Sequence, residues 1–256
     1  MRAVLRFLFT RRWLGLLLAV VVVGFGCVQL GLWQLDRYDE RQDFNTTTRT
    51  NLAADPVAAA EVFSVTEEPS PKDEWRAVTA TGSYDEEHRV LVLYRTKDGV
   101  PGVDVVVPLV TKSGAALMVD RGWVRTPGNA NVDPDVPAPP PGTVTVTGWT
   151  RIDAEGDADE VVPVDGTVRA ISADAIAETL PYDVYDGFVE LISETPAVSP
   201  APQQAEPPEL GGGPHFFYGI QWFFFALLAL AFWGYLAWSE HKQRNARSQP
   251  SVISTG

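Results

Sequence analysis

Two apolar runs of membrane-spanning length, one near each end of the chain, constrain the fold of this 256-residue sequence most strongly. The run from Trp13 to Leu35 contains no charged residue, and neither does the run from Pro214 to Trp238. At about 1.5 Å per helical residue, each run is long enough to cross a hydrocarbon layer of about 30 Å. The first run ends in an interfacial tryptophan and then charge instead of a small-residue cleavage site, which favours a retained helix over a signal peptide.

The charges beside these runs predict their orientation. Basic residues without acidic neighbours precede the first run, and basic residues again follow the second: Arg2, Arg6, Arg11 and Arg12, then Lys242, Arg244 and Arg247. Because Lys and Arg concentrate on the cytoplasmic side, we expect both termini in the cytoplasm and a multi-pass protein of the plasma membrane. The expected organisation is a leader at 1–12, transmembrane helices at 13–35 and 214–238, an extracytoplasmic domain at 36–213 and a tail at 239–256.

The segment between the runs is strongly acidic. Asp36–Pro214 holds 13 of the 20 basic residues and 32 of the 33 acidic residues, a net charge of −19. This charge argues against a nucleic-acid partner. The single cysteine, Cys27, excludes an internal disulfide, and three scattered histidines do not form a zinc or iron–sulfur motif.

The middle segment has the sequence pattern of a β-domain. Alternating stretches separated by Gly/Pro/Asp turns predict strands at 75–82, 88–95, 103–110, 115–120, 143–150 and 187–192. Ser172 is a candidate N-cap for a short helix at 172–180. Residues 127–141 form a proline-rich excursion, 153–160 a solvated acidic loop and 195–213 an extended linker. The predicted class is therefore a predominantly antiparallel small barrel or sandwich with a short helix, flanked by two transmembrane helices.

One glycine interrupts the strand pattern. Gly122 follows Asp120 and Arg121 and precedes Trp123. A glycine inside a strand indicates a bulge or a close backbone approach. We expect a bulge with a buried Trp123 here, because no nucleophile or base stands nearby to suggest catalysis.

The first apolar run carries a small-residue face. On a helical wheel Gly24, Cys27, Gly31 and Gln34 share one narrow arc, which predicts the close approach of another helix. Gln29 lies well away from this arc, in the middle of the membrane. Its amide either bonds its own backbone or water, or meets a second membrane protein.

The second run begins with polar groups on one face. His215, Tyr218, Gln221 and Trp222 lie on this side, and Gly219 permits close approach. The opposite arc is apolar and is expected to face lipid: Phe216, Phe217, Ile220, Phe223, Phe224, Leu227 and Leu228. The His215 imidazole can serve as an axial ligand of a haem iron, which needs only one or two such ligands, or can bond a partner helix.

Four blocks of sequence resemble the Surfeit locus protein one (Shy1-like) family of cytochrome c oxidase assembly factors. They are Leu30–Arg37 (LGLWQLDR), Gly99–Gly102 with Val107–Leu109, Val119–Trp123 (VDRGW) and Gly213–Trp222 (GPHFFYGIQW). The resemblance extends from about residue 10 to residue 240, and the last block is the most specific. Alanine is common in the family where Gly219 stands in this chain.

The resemblance implies a non-enzymatic assembly factor that assists haem a insertion into subunit I of an aa3-type oxidase. By position, His215 would be the metal ligand, and Tyr218 and Trp222 would help to bind the haem. The residues that match the family blocks or face outward are candidate partner contacts: Gln29, Trp33, Gln34, Arg37, Arg121, Trp123 and Gln221. The alternative is a membrane scaffold or accessory subunit of the oxidase or a respiratory supercomplex that binds no haem.

Overall fold

A computed structural model describes residues 6–126 and 134–247, with side chains for 8–126 and 134–244. Part of the predicted proline-rich excursion, the first five residues of the leader and the end of the tail therefore lie outside the described residues. The chain divides into two compact units: Met1–Asn45 with Leu210–Gly256, here the helical unit, and Thr46–Glu209, here the sheet unit.

Among the described residues, the main elements of the helical unit are two long helices. Helix α1 spans Arg11–Ala53 and α4 spans His215–Arg247, and each contains a window apolar enough to cross a membrane. Most large apolar side chains on both helices are exposed, as on helices surrounded by lipid. These two helices identify the protein as a membrane protein. Helix α1 continues beyond its apolar run to Ala53.

Small residues bring α1 and α4 together. A Cβ on Gly31 of α1 would come within 2.8 Å of the Phe223 ring of α4. Likewise, a Cβ on Gly219 of α4 would lie 3.1 Å from the Leu35 side chain of α1. Cys27 is also buried. The predicted contact arc of α1 is thus confirmed at Cys27 and Gly31 but not at Gly24, where nothing lies within 4 Å of a Cβ. The assignment of Phe223 to the lipid face was wrong, because its ring fills the space that Gly31 leaves open.

The described residues of the sheet unit form eight strands and two short α-helices. The strands are β1 (Val57–Ala58), β2 (Ala77–Tyr84), β3 (Val90–Lys97), β4 (Val100–Thr111), β5 (Ala116–Arg125), β6 (Val144–Arg151), β7 (Thr167–Val168) and β8 (Val184–Thr195). The helices are α2 (Ala158–Val161) and α3 (Ala173–Ala177). Ser172 caps α3 as predicted, since its Oγ accepts the Ala175 N–H. Helix α2 lies within the expected acidic loop and was not predicted.

Five strands close into a barrel in the order β2–β6–β8–β5–β4, with β4 pairing back to β2. All of these pairs are antiparallel except β5 with β8. Closure depends on the length of β4, whose residues 100–106 pair with β3 and whose last residues pair with β2. The small-barrel prediction is confirmed.

Apolar residues pack on both faces of the barrel wall. Every barrel strand contributes to the interior cluster, which includes Val78, Leu109, Leu117, Val144 and Val189. On the outer face a second cluster, including Val106, Met118, Ile176 and Phe188, lies against α3. Alternation along β4, β5 and β8 therefore sends one residue inward and the next outward.

The interruption at Gly122 is a β-bulge. Val106 pairs with Asp120 while Asp104 pairs with Trp123, so two residues of β5 oppose one residue of β4. Gly122 has φ +116°, and its missing Cβ makes room for the backbone carbonyl of Gln203. The bulge and the close approach are confirmed. The prediction that Trp123 is buried was wrong, because its side chain is only partly buried.

Candidate functional site

The candidate site lies where α4 begins. His215 is the first residue of α4, and its Nδ1 atom lies 2.8 Å from Oε1 of Gln34 on α1. The side chains of both residues are partly buried. The structure therefore brings together two residues that the sequence placed on separate helices.

This hydrogen bond selects one tautomer of the imidazole. Because the amide Oε1 of Gln34 accepts only, Nδ1 of His215 carries the proton and donates it. The lone pair of a neutral imidazole is then on Nε2, which is the geometry in which histidine serves as a metal ligand.

The glycine-rich segment before His215 is fastened to α1. Arg41 Nε and Asn45 Nδ2 both donate to the carbonyl of Gly211, at 3.4 and 3.2 Å. Asn45 is completely buried, and a Cβ on Gly212 would lie 3.5 Å from the Tyr38 ring. These contacts fix the start of α4 against the polar extension of α1.

The other α4 candidates have different surroundings. Trp222 is partly buried and meets Phe225 edge-on at 5.8 Å, whereas Tyr218 and Gln221 are exposed. The structure brings Trp222 to the same side of α4 as the α1 contacts, and it leaves the phenol and the amide free to meet a ligand or a partner.

The remaining α1 candidates form one outward stripe. Gln29, Trp33 and Arg37 are spaced by four residues and are all exposed, and Trp33 exposes 51% of its surface. Gln29 lies on the opposite side of α1 from Cys27 and Gly31, whereas Arg37, three residues after Gln34, lies beside the face that meets α4. Within the described residues, Arg37 pairs with Glu40 at 2.8 Å and Gln29 has no hydrogen-bond partner.

Arg121 lies in the interior of the sheet unit. It is 1% exposed and forms a 2.9 Å ion pair with Glu194, and its guanidinium lies over the Tyr84 ring. Burial, together with the Glu194 carboxylate that accepts its O–H, raises the pKa of Tyr84 above its ordinary value. Arg121 thus has a visible structural role, and its role as a partner contact stays a prediction.

Trp123 borders a surface pocket of the sheet unit. Its indole Nε1 lies against Gly102, where a Cβ would collide with it, and its backbone pairs with Gln203. Its ring also lines a cavity beside Asp120 and Glu190. The side chain is therefore accessible from the surface of the sheet unit.

Sequence reasoning missed two arrangements. The Gln34–His215 bond was within reach, since each residue lay on a face predicted to meet another helix. The Arg121–Glu194 pair joins residues 73 positions apart, on two strands, β5 and β8, that are neighbours in the barrel. Among the described residues there is no group of three or more His, Cys, Asp and Glu side chains that could hold a metal ion.

Comparison with known proteins decides the family. The model of the SURF1 family matches residues 21–227, which include α1 from Val21 onward, the whole sheet unit and the first turns of α4. The chain belongs to the SURF1 family. SURF1 proteins are known as assembly factors of cytochrome oxidase and not as enzymes, so the resemblance carried by the four sequence blocks is confirmed.

SURF1-like relatives cover most of the chain. An uncharacterised SURF1-like protein of Mycobacterium tuberculosis is 32% identical over 245 residues, which is 94% of this chain and 89% of the relative. A SURF1-like protein of Monosiga brevicollis is 26% identical over 267 residues, or 91% of both chains. A SURF1-like protein of Dictyostelium discoideum is 29% identical over 115 residues, 43% of this chain and 42% of the relative.

Proposed function

We propose that this protein assists haem a insertion into subunit I of an aa3-type cytochrome c oxidase, with His215 as the residue that meets the haem. Membership of the SURF1 family supports oxidase assembly, and the hydrogen bond from His215 Nδ1 to Gln34 is the observation that carries the haem assignment. We place the protein in the plasma membrane with both termini in the cytoplasm, following the charge asymmetry of its sequence.

The residues present fit a haem and do not fit a metal ion held by protein alone. The described residues offer one oriented imidazole and no three-residue ligand cluster. A haem iron needs only one or two ligands from the protein, so one histidine would suffice. His215 would hold the haem, which when bound would supply an iron that an imidazole nitrogen can ligate.

The protein's own residues would orient that imidazole. Gln34 holds the proton on Nδ1 and directs the Nε2 lone pair away from α1, while Arg41 and Asn45 hold the preceding Gly211. The rings of Tyr38 and Phe216, 5.5 Å apart, add an aromatic surface next to His215. Tyr218 and Trp222 on the following turn are the proposed further haem contacts.

The same site would transfer its haem to a partner held by α1. Gln29 is an exposed amide within the apolar run, and a polar group at membrane depth favours a position against another protein. We propose that the stripe of Gln29, Trp33 and Arg37 contacts a helix of subunit I, and that Gln221 contributes from α4. If these contacts act without haem, the protein is a scaffold or accessory subunit of the oxidase or a supercomplex.

A pull-down in mild detergent separates the two functions. The protein is captured from cells that produce haem a and from cells in which haem a synthesis is blocked, and both samples are examined for subunit I and haem. The proposal expects haem a in the first sample, and its loss in His215→Ala while subunit I is retained through Gln29 and Trp33. Subunit I without haem a in every sample would leave only the scaffold function.

A further inference from the structure

Three carboxylates lie side by side on the outer face of the barrel. Asp120 pairs directly with Glu190 across β5 and β8, and the bulge in β5 brings Asp104 of β4 beside them. Each carboxylate is two residues along its strand from an outward-facing apolar residue: Val106 on β4, Met118 on β5 and Phe188 on β8. The carboxylates therefore lie on the same outer face as these residues, next to the apolar cluster. Strand register, and not chain proximity, creates this group.

This carboxylate layer is costly to the fold. Like charges directly opposite in a sheet repel, and burial disfavours each charged form. Burial raises the pKa of Asp120 well above its ordinary value, and Asp104 and Glu190 add to the rise. Burial also raises the pKa of Asp104 and of Glu190, although Arg95 and Arg151 respectively oppose it.

The cations nearby leave Asp120 without an ion pair. Arg95 pairs with Asp104 at 2.9 Å, and Arg151 is shared between Glu74 at 3.2 Å and Glu190 at 3.4 Å. Asp120 is only 7% exposed; its Oδ1 accepts the Gly122 N–H, and no described group donates to its Oδ2. The Asp120 carboxylate is thus left without a cation partner beside two carboxylates that each have one.

All three carboxylates open into one cavity of about 320 Å³. Its other walls include Tyr94, Trp123 and the Gln203–Gln204 backbone, which lies beside the bulge at Gly122. Two cations also line the cavity, but both are already paired: Arg95 with Asp104, and Lys97 with Glu206 at 3.2 Å. We propose that this cavity is a binding site for one basic side chain, an arginine or a lysine, of a partner polypeptide. The site goes beyond the haem function, because it lies in the sheet unit and uses none of the haem-site residues.

The chemistry of the cavity selects a basic side chain over a metal ion. The volume is about ten times the roughly 30 Å³ that one water molecule occupies, so it suits the end of a long side chain. The three carboxylates do not form a metal-ligand cluster within the described residues. The partly buried indole of Trp123 and the phenol of Tyr94 offer ring faces, which attract guanidinium and ammonium groups.

The test uses the full chain in mild detergent and an arginine mimic, Nα-acetyl-arginine N-methylamide. Binding is followed by the indole N–H resonance of Trp123 in NMR spectra, with the uncharged citrulline analogue and Ca²⁺ as competing probes. We expect saturable binding of the arginine compound, about tenfold weaker binding of the citrulline compound, and no competition by Ca²⁺. No saturable shift, equal binding of the citrulline compound, or displacement by Ca²⁺ would overturn the proposal.

Two variants separate a binding role from a structural one. Asp120→Asn keeps the oxygen that accepts the Gly122 N–H but removes the charge, so it should lower affinity at least about tenfold while the unliganded protein becomes no less stable. The control Asp186→Asn removes a carboxylate outside the cavity and should leave affinity unchanged. A destabilised Asp120→Asn protein, or one that binds as wild type does, would contradict the assignment whatever the outcome of the haem experiments.

Discussion

The Nδ1 atom of His215 donates to Oε1 of Gln34 across 2.8 Å, and this bond joins the first turn of α4 to α1. It is the structural basis for assigning Nε2 as the free ligand atom. A histidine whose second nitrogen is bonded in this way has a fixed ring orientation as well as a fixed tautomer.

Replacing Gln34 by leucine should release the imidazole. Loss of a hydrogen bond that orients a metal-bound histidine typically costs 10–100-fold in affinity, so we expect haem retention to fall by about that factor. The tautomer itself is measured by ¹⁵N NMR on haem-free protein, which contains only three histidines. The matched variant Gln29→Leu should keep the Nδ1–H form; the Nδ1–H form persisting in Gln34→Leu would show that Gln34 does not set it.

Gly31 should be far less tolerant of a large side chain than Gly26. A leucine at Gly31 would meet the Phe223 ring and force α1 and α4 apart, whereas nothing lies within 4 Å of a Cβ at Gly26. Thermal unfolding in detergent should therefore show a clearly lower unfolding temperature for Gly31→Leu and little change in that temperature for Gly26→Leu. Equal stability of the two variants would mean that the helices do not pack through Gly31.

Gly122→Ala should be more destabilising than Gly114→Ala. Both glycines have positive φ, so each alanine incurs about 1–3 kcal/mol of backbone strain. Only at Gly122 does the new Cβ also collide with a backbone carbonyl, that of Gln203. Denaturant unfolding should show a larger loss of stability for Gly122→Ala than for Gly114→Ala. Similar losses of stability in the two variants would indicate that residues 203–204 can move away from the new Cβ.

Breaking the buried Arg121–Glu194 pair should cost about 3–5 kcal/mol, because either partner alone leaves an uncompensated buried charge. Arg121→Met should therefore be severely destabilised, and adding Glu194→Gln should recover part of the loss. The free energies of unfolding of the two single variants and the double variant form the required cycle. If the two losses simply add, the pair is not coupled.

The carboxylate layer predicts a pH dependence with a definite sign. Asp120 holds its proton to higher pH in the folded chain than in the unfolded chain, whose Asp pKa is about 3.9. Over that interval the folded state binds more protons, so this group makes stability fall as pH rises. We therefore expect the free energy of unfolding of Asp120→Asn to exceed that of wild type by an amount that grows as the pH rises from 4 to 7.

Local pattern predicted much of this structure, and long-range register accounts for the rest. The small-residue arc of Cys27, Gly31 and Gln34 and the alternation of the strands are local signals, and both were confirmed. The parallel pairing of β5 with β8 and the return of β4 to β2 are not encoded in any short window. The carboxylate layer depends on these registers, so Asp120 could not be recognised as part of a cavity from the sequence.

The visible absorption spectrum of the protein purified from cells that make haem a tests the central claim most directly. Wild type should carry haem a, His215→Ala should lose it, and Ser172→Ala should retain it, because that change removes only an N-cap and a hydrogen bond to Asp153 within the sheet unit. Equal haem a in wild type and His215→Ala would contradict the account, because His215 would then not be the residue that holds the haem.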